Sequence, residues 1–263
     1  MLSYLHAYHA GNAADLHKHI ALAELLARLT AKPRGIAYAE THAGRGRYDL
    51  AAPEALKTGE AAQGVGLITP DPATAFGRAL AGFRATHGDR AYAGSPKIAR
   101  ALLRPHDSMT LMELHPGEHA ALRTAMAGDG ATIHRRDGFD GLLALAPLAP
   151  RRGLVLVDPS YEVKSDYAAA ADFARRLIAK WPETVVAIWY PLLPAGRHAH
   201  LLCGLAPLAY AYDEVDFIRP PERGMTGSGV AIVNPPHGAA AIFDAAHAQA
   251  APAFVARRTG RNR

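Results

Sequence analysis

Between residues 12 and 29, apolar side chains at Ala14, Leu16, Ile20, Leu22, Leu25, Leu26 and Leu29 recur near the 3.6-residue period, and the pattern predicts a helix. Pro33 and Gly35 interrupt it and lead into an apolar run at 36–39, short enough to predict a buried strand. Comparable runs stand at 108–114, 131–135, 153–157 and 184–189. Predicted helical segments separate them at 118–127, 141–145 and 166–180, and another precedes them at 97–103. Two later runs, 209–218 and 229–233, are predicted to close the sheet as a hairpin. Alternating strands and helices predict an α/β fold, with a mostly parallel seven-stranded sheet covered on both faces.

The alternation lapses over 50–93, where Pro53, Pro70 and Pro72 punctuate short Ala-rich helical pieces and no convincing strand occurs. This stretch is predicted to be a small helical insertion within a single domain spanning 1–263. The end of the chain, 257–263, is basic and is predicted to be a mobile, solvated tail.

Composition narrows the picture modestly. A length of 263 residues with 49% hydrophobic and 20% charged positions is ordinary for a soluble globular protein with a sizeable core. The single cysteine, Cys203, excludes an internal disulfide and points to a reducing compartment. There is no apolar run of membrane-spanning length and no basic segment followed by an apolar one at the start, so a cytoplasmic protein is expected. The formal charge of +5 favours an anionic partner such as nucleic acid, although many metabolic enzymes are equally basic.

Chemistry is expected beyond the carboxyl ends of the parallel strands, where open sheets bind their ligands. Four predicted strands run into acids there: Glu40, Glu113, Asp137 and Asp158. The first leads into Glu40-Thr41-His42-Ala43-Gly44-Arg45-Gly46, whose paired glycines allow a tight turn and close approach to a ligand. Asp49 stands where a dinucleotide fingerprint wants its third glycine, which disfavours a nicotinamide cofactor. A ligand with a carboxylate and no pyrophosphate, such as S-adenosyl-L-methionine, suits the loop better. Glu113 follows the loop by about 70 residues, whereas a ribose-binding acid normally follows by about 20, and the insertion accounts for the excess. Asp137-Gly138-Phe139 is either a plain turn or a contact for the cofactor adenine.

The most informative stretch is Leu154-Val155-Leu156-Val157-Asp158-Pro159-Ser160-Tyr161, an apolar strand running into an acid-Pro-x-aromatic turn. An exocyclic amine on an aromatic ring is a poor nucleophile because its lone pair is delocalised. A site that methylates it must hold both N–H groups with acceptors and aim the lone pair at the methyl. The Asp158 carboxylate and the Pro159 carbonyl can be those acceptors, and Tyr161 can stack on the base. Asn234-Pro235-Pro236-His237 is a competing copy of this turn, disfavoured here because its strand is the last and lies away from the middle of the sheet. Read by themselves, His17 and His19 look like a partly exposed helix face. No cysteine or clustered carboxylate turns His6, His9, His17 and His19 into a metal site, so no metal is expected.

The chain resembles the RlmJ (YhiR) family of 23S rRNA adenine-N6 methyltransferases, which act at adenine 2030. The resembling segments are the N-terminal stretch from Met1 to Asn12, Asp15 to His19, Thr41 to Tyr48, Gly94-Ser95-Pro96 and Glu113 to Pro116. They continue through Asp137 to Phe139, Asp158 to Tyr161, Trp189 to Pro191, Arg223 to Thr226 and Asn234 to Pro236. The resemblance implies a class I methyltransferase fold and a cofactor site lined by Lys18, His19, His42, Gly44, Ser95, Glu113, Asp137, Gly138 and Asp158. It implies Asp158 as the catalytic acid-base residue and Tyr4 as a contact for the substrate adenosine. It also implies a monomer acting on 23S rRNA free of ribosomal proteins, with no membrane partner. The family usually carries Pro where Ser160 stands and often His where Ala13 stands. Ser160 keeps the acceptors and the ring but removes a source of turn rigidity. The alternatives are the same chemistry on DNA adenine or on a protein glutamine, and a non-catalytic RNA-binding relative.

Overall fold

Asn12 accepts the Asp15 amide through its side chain and so starts α1 (Ala13–Thr30), which is buried along most of its length. The computed structural model describes residues 5–222 and 224–262. After α1 come β1 (Ala37–Glu40), β2 (Arg47–Asp49), α2 (Pro53–Thr58), α3 (Ala75–His87), β3 (Ala91–Ala93), α4 (Ser95–Leu102), β4 (Ser108–Met112) and α5 (Pro116–Ala125). The chain continues through β5 (Thr132–His134), α6 (Gly138–Leu145), β6 (Gly153–Val157), α7 (Asp166–Lys180), β7 (Thr184–Leu192) and α8 (His198–Leu205). It ends with β8 (Tyr210–Phe217), β9 (Gly227–Val233), α9 (Ala240–Ala250) and β10 (Phe254–Asn262). No helix among the described residues is long and apolar enough to cross a membrane.

The main sheet has eight strands in the order β10-β8-β9-β7-β6-β1-β4-β5, one more than the sequence pattern predicts. The five strands from β7 to β5 run parallel, and β9, β8 and β10 continue the sheet antiparallel. One face is covered by a core that includes Phe173, Leu177 and Leu201, the other by one that includes Leu22, Leu25 and Phe243. Strand order reverses between β1 and β6, and the crevice of a doubly wound sheet opens at such a switch point.

Three sequence expectations need correction. Residues 257–262 are not a mobile tail but most of β10, paired antiparallel with β8. Arg257 reaches Asp216 at 3.0 Å and Arg258 lies over the Tyr212 ring, so the charges that look like a solvated end decorate an edge strand. The stretch 50–93 does contain strand, because Ala91–Ala93 pairs with Arg47–Asp49 in a separate two-stranded ladder. Its α3 shares a core with α1 and α4 through Phe76, Leu80, Leu16, Ile20 and Ile98. Finally, β9 is neither last nor peripheral, since it lies between β7 and β8. It runs antiparallel to β7, so Asn234 meets the start of β7, donating to the Thr184 carbonyl at 2.9 Å. Strand direction, not distance from the middle, separates that turn from the Asp158 edge.

Candidate active site

At the carboxyl edge of the sheet a cleft of about 560 Å³ collects residues from α1, the β1 loop, the turn after β4, α6 and the turn after β6. Lys18, His19, His42, Gly44, Ser95, Glu113, Asp137, Gly138, Asp158, Pro159 and Tyr161 all line it. Tyr4 and Arg223 lie outside the described residues. His17 and His19 correct the helix-face reading: both are buried, and His19 lines the cleft. Burial pushes the His19 imidazole down to about 3, so it is neutral, and its Nδ1 lies 2.7 Å from the Tyr92 hydroxyl.

Lys18 is the electrostatic centre. Its ammonium donates to Asp158 Oδ2 at 2.6 Å and lies 2.9 Å from Asp15 Oδ1, one helical turn back on α1. Burial alone would lower its pKa, but the two carboxylates outweigh burial and raise it, so the ammonium stays charged. Asp15 in turn accepts the Gly11 amide at 2.8 Å and lies 2.9 Å from His6 Nε2. The sequence reading weighed neither the Lys18–Asp158 pair nor Asp15, although an acid and a lysine three apart on a buried helix was a usable signal. With Oδ2 occupied, Asp158 Oδ1 accepts from no described residue, and neither does the Pro159 carbonyl. Both residues line the cleft, so two acceptors stand open there.

Tyr161 completes the turn in a left-handed conformation (φ 55°), uncommon for a side chain of this size and costing on the order of 1 kcal/mol. Its hydroxyl donates to the Trp189 carbonyl at 2.7 Å, and its ring packs on Tyr167 with centroids 4.5 Å apart. The ring is therefore a fixed wall of the cleft. Trp189 stands beside it and under the Lys18 ammonium, 5.5 Å from the ring centroid. Its indole N–H donates to Ser228 Oγ, which lies 3.0 Å from His17, and His17 lies 3.0 Å from Asp213. This serine, histidine and aspartate are fully buried and the serine is engaged by the indole, so they support the wall and offer no nucleophile.

On the opposite side of the switch point, Glu113 gathers the glycine loop. Its two oxygens accept the Gly44 and His115 amides, each at 2.8 Å, and each keeps a second lone pair. Gly44 has φ 61°, and a Cβ there would sit 2.6 Å from the Tyr48 hydroxyl. Arg45 holds Glu118 of α5 through two bonds of 2.9 and 2.6 Å. Asp137 caps α6 by accepting the Asp140 amide at 3.0 Å. Gly138 must be glycine, because a Cβ would sit 1.9 Å from the Thr41 carbonyl oxygen.

Glu40 is buried behind this surface, accepting Tyr38 Oη and Ser95 Oγ, each at 2.7 Å. Burial pushes its carboxyl up to about 8. The buried neutral form favours folding below the ordinary value of 4.5, and that contribution is lost as pH rises toward 8. Glu40→Gln should therefore flatten the fall of stability between pH 5 and 8, a fall on the order of 2–4 kcal/mol. Urea unfolding across that range checks it, and a slope equal to wild type would assign the effect elsewhere.

A doubly wound sheet with its cleft at the switch point and an acid-Pro-Ser-Tyr turn at the end of β6 defines a class I methyltransferase. Residues 33–249 match the family model described as "Ribosomal RNA large subunit methyltransferase D, RlmJ". The chain belongs to the RlmJ family. It is 36% identical over 246 residues to the "Ribosomal RNA large subunit methyltransferase J" of Escherichia coli (strain K12), covering 90% of this chain and 88% of that one. The protein of the same description from Haemophilus influenzae is 37% identical over 249 residues, with the same coverage. A crystal structure of a Legionella pneumophila protein superposes with a TM-score of 0.81 at 28% identity, over 96% of this chain and 97% of that one.

Proposed function

We propose that this protein transfers the methyl group of S-adenosyl-L-methionine to the exocyclic N6 of an adenine in 23S rRNA, at the position corresponding to adenine 2030, in the cytoplasm. The family membership supports ribosomal RNA of the large subunit as the substrate, and the position follows from the resemblance. The observation that carries the chemistry is the pair of open acceptors, Asp158 Oδ1 and the Pro159 carbonyl, at one end of the cleft.

The donor set fits the cofactor. A cleft of about 560 Å³ is in the usual range for such ligands, and Glu113 keeps a free lone pair on each oxygen for two ribose hydroxyls. Lys18, His19, His42, Gly44, Ser95, Glu113, Asp137, Gly138 and Asp158 would hold it. When bound, it supplies an electrophilic methyl on a sulfonium.

The chain's own residues do the rest. Asp158 Oδ1 and the Pro159 carbonyl accept the two N–H bonds of the amine, which orients its lone pair and offsets delocalisation into the ring. Lys18 pins the other carboxylate oxygen, so Asp158 has one orientation available. The rigid walls of Tyr161 and Trp189 stack on or flank the flipped base, with Tyr4 as a further contact. Transfer makes the nitrogen strongly acidic, and its proton leaves to Asp158 or to water.

Mass mapping of 23S rRNA from cells with and without the protein tests the assignment. One adenine methyl should vanish with the gene, and an unchanged map would overturn the substrate. Labelled cofactor offered with deproteinised 23S RNA, DNA or a glutamine-bearing release factor separates the same chemistry on other amines. Glu113→Ala should weaken cofactor binding about tenfold or more by calorimetry, and unchanged affinity would remove it from the ribose.

A further inference from the structure

Outside the cleft, a groove of about 670 Å³ lies between α5 and β5, the strand at the parallel edge of the sheet. His119 and Arg123 of α5 and His134 and Arg135 at the end of β5 line its walls, over Met126 and Ile133. Among the described residues no Asp or Glu lines it. The neighbouring Asp129 is already taken by Lys97 at 2.7 Å. Arg123 and Arg135 are exposed, and neither forms an ion pair with a described carboxylate. Both guanidiniums therefore face one groove with their charge uncompensated by any acid that lines it.

The groove neighbours the cleft along α5 and along the segment that follows β5. His115 and Glu118 at the start of α5 line the cleft, and His119, the next residue, lines the groove. His115, His119 and Arg123 are spaced by four and share a helix face. On the other wall, Arg135 lines the groove and Asp137 the cleft. Glu118 on this side is held by Arg45, and the groove beyond it is lined by cations and no carboxylate.

We propose that the α5–β5 groove binds the phosphodiester backbone of the RNA flanking the target nucleotide, with Arg123 and Arg135 as its phosphate contacts. The proposal rests on the reading of RNA as substrate. Guanidinium groups fit phosphate oxygens through paired N–H donors, and the apolar floor suits sugar faces. Such contacts set affinity and register and leave the chemical step alone.

The test compares Arg123→Ala/Arg135→Ala with Arg175→Ala/Arg176→Ala, an equal loss of charge on α7, using the full-length protein and a 23S rRNA fragment containing the target. The groove variant should raise KM for RNA about tenfold, with kcat at saturating RNA and cofactor affinity unchanged. Its plot of log binding constant against log salt should be shallower by about 1.4–1.8, two contacts at about 0.7–0.9 each. The α7 variant should match wild type. Equal KM values and equal salt slopes for the two variants would overturn the groove. The slope is read from binding alone, so an enzyme that binds the fragment but never methylates it would sink the proposed reaction while the groove is still decided.

Discussion

Asp158→Ala should abolish methyl transfer, by about 10³-fold or more in single turnover, and leave the protein folded. The size of the effect comes from losing an acceptor for the amine and the proton's destination together, each worth about 10²–10³ or more. Folding should survive because Asp158 is partly exposed at the cleft and Lys18 retains Asp15 at 2.9 Å. Asp158→Asn refines the test. It keeps an oxygen acceptor but removes the charge that meets Lys18, so activity should be low and thermal stability slightly reduced. Near-normal turnover in the alanine variant, with cofactor affinity unchanged by calorimetry, would discard the assigned role.

Asp15→Ala should have the largest effect on stability, lowering it by about 3–5 kcal/mol. Asp15 is 1% exposed, and its loss strands two groups built around it: the Gly11 amide and one side of the Lys18 ammonium. Burial alone would raise its carboxyl pKa, but His6 and Lys18 outweigh burial and hold it well below 3.8. The folded value is thus depressed relative to the unfolded one. Its contribution is fully present above pH 4 and is lost as pH falls below it, toward the folded value. Wild type should lose stability faster than the variant between pH 4 and 2, as read by denaturant unfolding. Parallel curves would separate Asp15 from acid sensitivity. Activity should fall as well, since Lys18 would then bear on Asp158 alone.

Much of this site could be read along the chain because its parts sit at the ends of regular elements. Apolar runs at 36–39, 108–114 and 153–157 placed Glu40, Glu113 and Asp158 at one sheet edge, since parallel strands must expose equivalent ends together. The turn chemistry of Asp158-Pro159 and of the Gly44 loop is local, and local patterns survive without knowledge of the fold. α8 and α9 were not anticipated at all, and β10 was hidden because an edge strand carries the charges of a tail.

Pairings across long stretches of chain had no local signature. Lys18 and Asp158 are 140 residues apart, and His17 and Ser228 are 211 apart. A histidine on a helix is an exposed polar group or a buried linker according to what packs over it. The order and number of elements along the chain therefore decided which sheet edge carries the cleft and its acids. Packing α1 across the switch point decided which acid holds a cation, which oxygen stays open and which ring becomes a wall, because those depend on distances that exist only after the sheet has closed.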